Sequence, residues 1–115
     1  MAEKLQVGII GASGWMAGAL SVGVEYDNDG FDPESRVGTR NPDAAVAALC
    51  DLNQDAMEDR KKQLGLDGAR LFTSYDELLA DPDIDAVVIA VPNNLHAQFG
   101  VKALEAGKHL FLTVF

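Results

Sequence analysis

Six consecutive residues, Ala86-Val87-Val88-Ile89-Ala90-Val91, form an apolar run with no polar alternation. A strand with one wet face alternates apolar and polar side chains. An unbroken run instead reads as a strand buried on both faces, as in a parallel sheet covered by helices. Pro92 cannot donate to a sheet ladder and ends the strand, and Asn93-Asn94 start a turn. Leu95-His96-Ala97 then open a helix that runs toward Gly107. In open α/β sheets the loop at the carboxyl end of a parallel strand is where ligands bind. The stretch from Asp83 to His96 therefore combines a buried strand, a ligand-facing loop and the start of a covering helix.

A second buried strand, Leu5 to Ile10, leads directly into Gly11-Ala12-Ser13-Gly14-Trp15-Met16-Ala17-Gly18. A glycine-rich turn from strand into helix lets the backbone approach a pyrophosphate and aims unpaired helix N–H groups at its charge. The full G-x-G-x-x-G is absent, and two registers fit. Either Ser13 replaces the second glycine, or Gly11, Gly14 and Ala17 form G-x-x-G-x-x-A. Small residues are also what a helix packed tightly on a strand requires, so the loop alone decides nothing. A third apolar run, Ala44 to Cys50, ends in Asp51. An acid there is placed to accept from the adenosine ribose hydroxyls and to repel a 2′-phosphate. It is equally placed to cap the helix that follows. The spacing from the glycine turn exceeds the usual ~20 residues, so something is inserted between them.

That insertion is Glu25 to Asp43, EYDNDGFDPESRVGTRNPD, rich in Asp, Glu, Gly, Asn and Pro. It reads as a long surface loop pointing away from any anion site, the alternative being a lobe that folds over the adenosine pocket or meets a partner. Around it the pattern predicts strands over 5–10, 44–50, 69–72, 86–91 and 109–114, and helices near 15–25, 54–64, 75–80 and 94–106. Alternation with short connections predicts a doubly wound α/β fold, a Rossmann-like parallel sheet of order 3-2-1-4-5, within one domain spanning 1–115. The last strand then lies on an edge. His109 to Phe115 is apolar and invites pairing with another chain, so a homo-oligomer is expected.

Composition narrows the function. The net charge of −9 argues against nucleic acid as partner. No apolar run approaches the ~18 residues that span a bilayer, and Met1 to Lys4 carry no signal-peptide pattern, so no membrane partner is expected. A single cysteine, Cys50, excludes an internal disulfide and fits a cytoplasmic location.

Three segments, VGIIGASGWMAG (7–18), AALCDLN (47–53) and above all LFTSYDELLADPDIDAVVIAVPNNLHAQFGVKALEAGKH (71–109), resemble the amino-terminal domain of the glucose–fructose oxidoreductase/inositol dehydrogenase/rhizopine-catabolism (Gfo/Idh/MocA) oxidoreductases. The resemblance implies an NAD-binding domain, with NADP less favoured because of Asp51. It implies that Gly11, Ala12, Ser13, Gly14, Trp15 and Met16 cradle the pyrophosphate. Asp51, Leu52 and Asn53 would surround the adenine ribose, and Ala90, Val91, Pro92, Asn93 and His96 would lie along the nicotinamide half. Ser74 and Tyr75 would flank the adenine side or cap the short helix; Glu77, three residues after Ser74, completes a capping box.

The chain departs from the family after Gly107-Lys108-His109. Thr113, Val114 and Phe115 stand where members carry Glu-Lys-Pro, whose lysine sits at the catalytic centre, and no substrate domain follows within these 115 residues. No catalytic residue is therefore assigned, and the chain alone is expected not to turn over. His96 reads as a first-turn helix residue bonded to loop backbone, Lys102 and Lys108 as solvated, and Cys50 as a buried inert thiol. No metal-ligand spacing occurs. Arg60, Lys61 and Lys62 lie one helix away and are expected not to reach the cofactor. The alternative function is a non-catalytic nucleotide-binding or protein-interaction module.

Overall fold

The structure is a computed structural model that describes residues 4–12, 14, 21, 24–26, 40, 41, 43–91 and 93–112. Five parallel strands, β1 (Leu5–Ile10), β2 (Ala44–Cys50), β3 (Arg70–Phe72), β4 (Ala86–Ile89) and β5 (His109–Leu112), form one sheet of order β3-β2-β1-β4-β5. Helices α1 (Gln54–Gln63), α2 (Tyr75–Ala80) and α3 (His96–Glu105) connect them, with a 3-10 turn, Asn93–Leu95, ahead of α3. Within the segment 15–25, Ser21, Val24 and Glu25 are helical; the rest of that expected helix lies outside the described residues.

The apolar runs are buried on both sides. On one face Met57 of α1 packs with Val7, Ile9, Val46, Leu49 and Val88. On the other, Leu78 and Leu79 of α2 and Ala103 of α3 pack with Ile10, Ala48, Cys50, Val87 and Ile89. Adjacent Val87 and Val88 thus serve opposite layers, so neither face of β4 tolerates a polar residue. Where β1 meets β2 the register slips: Val7 faces Val46, but Gly8 faces Ala48. Gly8 is also where the Leu78 side chain packs against the sheet. A Cβ there would sit 3.2 Å from both Leu78 methyls.

The helix ends follow local chemistry. Asn53 caps α1 by accepting from the Ala56 N–H at 3.0 Å, and Ser74 caps α2 by accepting from the Glu77 N–H at 3.3 Å. Helices α1 and α3 both close on a left-handed glycine, Gly65 (φ 64°) and Gly107 (φ 77°). In each, the glycine N–H and the next N–H return to the last turn, as in a Schellman motif (Gly107 to Leu104 O and Lys108 to Ala103 O, both 3.0 Å).

Four boundaries shift. β4 stops at Ile89, two residues before the expected 91: the Ala90 N–H still bonds to Ile10 O at 2.9 Å, but the chain bends at Val91. β3 begins at Arg70 instead of 69, and α1 ends at Gln63 with Leu64 as its cap. The expected helix 94–106 divides into the 3-10 turn and α3. The continuation of β5 to 114 lies outside the described residues.

Lys108 corrects a sequence expectation. It is buried, and its Nζ donates to Asp81 O at 2.7 Å and Ile84 O at 2.6 Å. The Asp81-Pro82-Asp83-Ile84-Asp85 segment is built to receive it. Asp81 Oδ1 accepts from the Asp83 N–H at 2.9 Å, and its carboxylate pairs with Arg70. Asp85 exchanges backbone and side-chain bonds with Gln6 at the start of the sheet. Lys102, by contrast, is exposed and pairs with Asp76 at 3.4 Å.

Of the insertion 25–43, residues 27–39 and 42 lie outside the described residues. Its two ends are tied together and to α1. Tyr26 and Arg40 form an antiparallel bridge, Arg40 pairs with Glu25 at 2.8 Å, and its guanidinium stands 4.6 Å over the Tyr26 ring. Arg40 also donates to Gly65 O at 3.0 Å, and the Tyr26 hydroxyl to Leu64 O. These contacts meet the carboxyl end of α1, the end remote from Asp51.

Candidate functional site

The chain reverses direction across the sheet between β1 and β4: β1 connects outward to β2, while β4 lies on its other side. A crevice must open at the carboxyl ends of the strands flanking such a point. Here it is a cleft of about 370 Å³ lined by Gly11, Gly14, Asp51, Leu52, Ala90 and Val91, together with Ile10, Cys50, Thr73, Tyr75, Leu95 and Phe99.

Gly11 forms its floor. Its φ of +81° favours glycine, and a Cβ would lie 2.5 Å from Ala90 O. No other residue type fits between the two strand ends. The Gly11 and Ala12 N–H groups both donate to Cys50 O, at 2.9 and 3.1 Å, and the Gly14 N–H closes the turn on Gly11 O at 3.0 Å. With the Ala90 N–H on Ile10 O at 2.9 Å, three strand ends are joined here. The result is a tight backbone turn at the strand ends, in which the Gly11, Ala12 and Gly14 N–H groups are all paired with carbonyls of the chain.

At the opposite rim Asp51 follows β2 and accepts from the Asn53 N–H at 3.2 Å. Leu52 beside it is 91% exposed, an apolar side chain held in water at the cleft mouth. The remaining wall is aromatic. Tyr75 and Phe99 meet edge-to-face with centroids 4.5 Å apart, and the Tyr75 hydroxyl donates to Phe99 O at 2.6 Å. Burial, then the charges of Cys50 and Asp76, push the Tyr75 hydroxyl up to about 12. Burial and neighbouring Asp51 push the Cys50 thiol up to about 11. Both groups stay protonated near neutral pH and serve as walls.

Of the expected site residues, Gly11, Gly14, Asp51, Leu52, Ala90 and Val91 converge on the cleft. Ala12 is buried behind the turn, and Asn53 is engaged as the α1 cap. His96 opens α3 with its ring turned to the loop. Its Nε2 lies 2.9 Å from Val91 O, and a carbonyl only accepts, so Nε2 carries the proton. The backbone of Asn93 begins the 3-10 turn. Ser13, Trp15, Met16 and Pro92 lie outside the described residues. Sequence reasoning overlooked Ile10, Cys50, Thr73, Leu95 and Phe99 as lining residues. The signal for three of them was present: Thr73 directly follows β3, and Leu95 and Phe99 are four apart across the start of α3.

One basic side chain of α1 lies beside the cleft. Arg60 reaches the glycine turn: its Nη2 donates to Gly14 O at 3.1 Å. Among the described residues no group of three or more His, Cys, Asp or Glu side chains could hold a metal, and no helix is long and apolar enough to cross a membrane.

Comparison with known proteins agrees with this geometry. The family profile described as "Oxidoreductase family, NAD-binding Rossmann fold" matches residues 5–113. The chain is 33% identical over 107 residues to an inositol 2-dehydrogenase of Corynebacterium glutamicum, covering 93% of this chain and 27% of that protein. It is 30% identical over 108 residues to a levoglucosan dehydrogenase of Pseudarthrobacter phenanthrenivorans, covering 94% of this chain and 25% of the relative. Among solved structures, myo-inositol dehydrogenase from Lactobacillus casei, in complex with NAD(H) and myo-inositol, superposes with a TM-score of 0.76 at 28% identity, over 96% of this chain and 28% of that one. A 3-ketoreductase from Actinomadura kijaniata in complex with NADP gives 0.73 at 25% identity, over 96% and 30%. The chain thus spans roughly a quarter of the length of these relatives. It belongs to the Gfo/Idh/MocA oxidoreductase family, as its NAD-binding Rossmann-fold domain.

Proposed function

We propose that the cleft holds the dinucleotide with its pyrophosphate on the Gly11–Gly14 turn, its adenine ribose at Asp51 and Leu52, and its nicotinamide half along Ala90, Val91, Pro92, Asn93 and His96. Ser13, Trp15 and Met16 complete the turn in this reading, and Ala12 and Asn53 support the two rims. The observation that carries it is Gly11 pressed against Ala90 O, which leaves room at the cleft floor only for backbone. Asp51 favours NAD over NADP, since a carboxylate accepts from a ribose diol and repels a 2′-phosphate.

A bound nicotinamide supplies a site for hydride transfer. What these residues supply is position. The Tyr75 hydroxyl and the Cys50 thiol titrate far above neutrality, so neither is poised to exchange a proton with a substrate, and the His96 Nε2–H is engaged as a donor to Val91 O. We therefore read this chain as the cofactor half of a dehydrogenase of polyol or sugar-like substrates, inactive by itself. The inositol and levoglucosan dehydrogenases among its relatives support that substrate class. Edge strand β5 presents Phe111 (58% exposed) and Leu112 (41% exposed), which supports self-association. The buried reduced thiol of Cys50 fits a cytoplasmic setting.

Titration of the purified chain with NADH and with NADPH, following quenching of its single tryptophan, Trp15, tests the reading. Saturable quenching is expected, tighter for NADH, and Asp51→Ala should erase the preference. A flat titration of folded protein would leave an interaction module built on this fold.

A further inference from the structure

Resting on that reading, we propose that Arg60 is a positioning residue for the pyrophosphate turn. It lies seven residues along α1 from the Asn53 cap, and Nη2 donates to the Gly14 carbonyl at 3.1 Å across 46 residues of sequence. Gly14 is thereby held from both sides, its N–H on Gly11 O and its C=O on the guanidinium. Glycine has no side chain to restrict its backbone, so these two bonds set the orientation of a residue that itself lines the cleft. A turn binds an anion when its N–H groups already converge; a loose turn has to be ordered by the ligand, which weakens binding.

Helix α1 makes Arg60 suited to this work. Met57, one turn earlier, is fully buried in the core and anchors the helix. The same helix starts three residues after Asp51. One rigid element therefore joins the ribose end of the cleft to its phosphate end, fixing the distance between them. Arginine stays charged at any working pH, and its planar fork holds a carbonyl in a defined direction, which a lysine ammonium does less well.

A bond that only stabilised the fold would affect every ligand alike; a bond that orients the turn matters only to ligands carrying the pyrophosphate. The test compares wild type, Arg60→Gln and Arg60→Lys for NADH by calorimetry and for adenosine by NMR titration, with circular dichroism on each variant. We expect R60Q to bind NADH about tenfold more weakly with adenosine unchanged, and R60K to fall between. Unchanged NADH affinity in R60Q, or equal losses for both ligands, would overturn the proposal. If R60Q does not fold, R60K carries the same comparison: a loss confined to NADH supports the role and a proportional loss overturns it. Failure of the wild type to bind NADH would instead remove the cofactor reading on which this rests.

Discussion

Two glycines share a left-handed backbone but differ in what surrounds them, which makes a controlled measurement of the Gly11 close approach. Gly107 has φ +77° and open space where a Cβ would stand, whereas Gly11 has φ +81° and a Cβ position 2.5 Å from Ala90 O. Gly107→Ala therefore carries conformational strain alone, about 1–2 kcal/mol. Gly11→Ala carries the same strain plus a collision with a backbone carbonyl that cannot rotate away, about 1–3 kcal/mol more. The carbonyl belongs to the residue whose N–H completes the β1–β4 pairing, so relief requires those strands to part. Gly8→Ala is the third member of the series. Its Cβ meets only the Leu78 methyls at 3.2 Å, and these can yield, so its cost should be about 1 kcal/mol. Urea unfolding followed by circular dichroism would rank them, Gly11→Ala losing about 2–5 kcal/mol of a total near 5–15. NADH titration should separate them further, with binding lost in G11A and kept in G107A. Equal destabilisation of G11A and G107A, with binding intact in both, would refute the argument that Gly11 is required by contact as well as by φ.

Lys108→Met should cost about 2–3 kcal/mol in the same urea assay, because it strands the buried Asp81 and Ile84 carbonyls, while Lys102→Met should fall within about 0.5 kcal/mol. Stability should hold below pH 9 and fall above it. Cys50 and Tyr75 bind their protons more tightly folded than unfolded, so their contribution is present below the ordinary values of 9.0 and 10.0 and lost as pH rises through about 11 and 12. A Cys50→Ala/Tyr75→Phe double variant should flatten that decline in a series of urea midpoints taken from pH 8 to 11.

The five strands and their order were legible along the chain, though β3 and β4 differ from the expected bounds. Unalternating runs at 5–10, 44–50 and 86–91 can be satisfied only by helices on both faces, and short right-handed crossovers then leave few topologies. Local chemistry also marked two helix ends, since Ser74 and Gly107 act through bonds to residues a few positions away, while the α1 cap is Asn53 and not Asp51. What required the tertiary structure were contacts between segments distant in the chain. Lys108 appears solvated until the Asp81–Asp85 turn folds over it, and Arg60 appears remote until α1 is laid along the sheet beside the glycine turn. His96, Tyr75 and Phe99 are held by the carbonyl or ring they meet, and no local pattern encodes that partner. The physical reason is range: hydrophobic periodicity and capping are near-neighbour effects readable along the chain, whereas a buried hydrogen bond or a close backbone approach exists only once the sheet has brought its strand ends together.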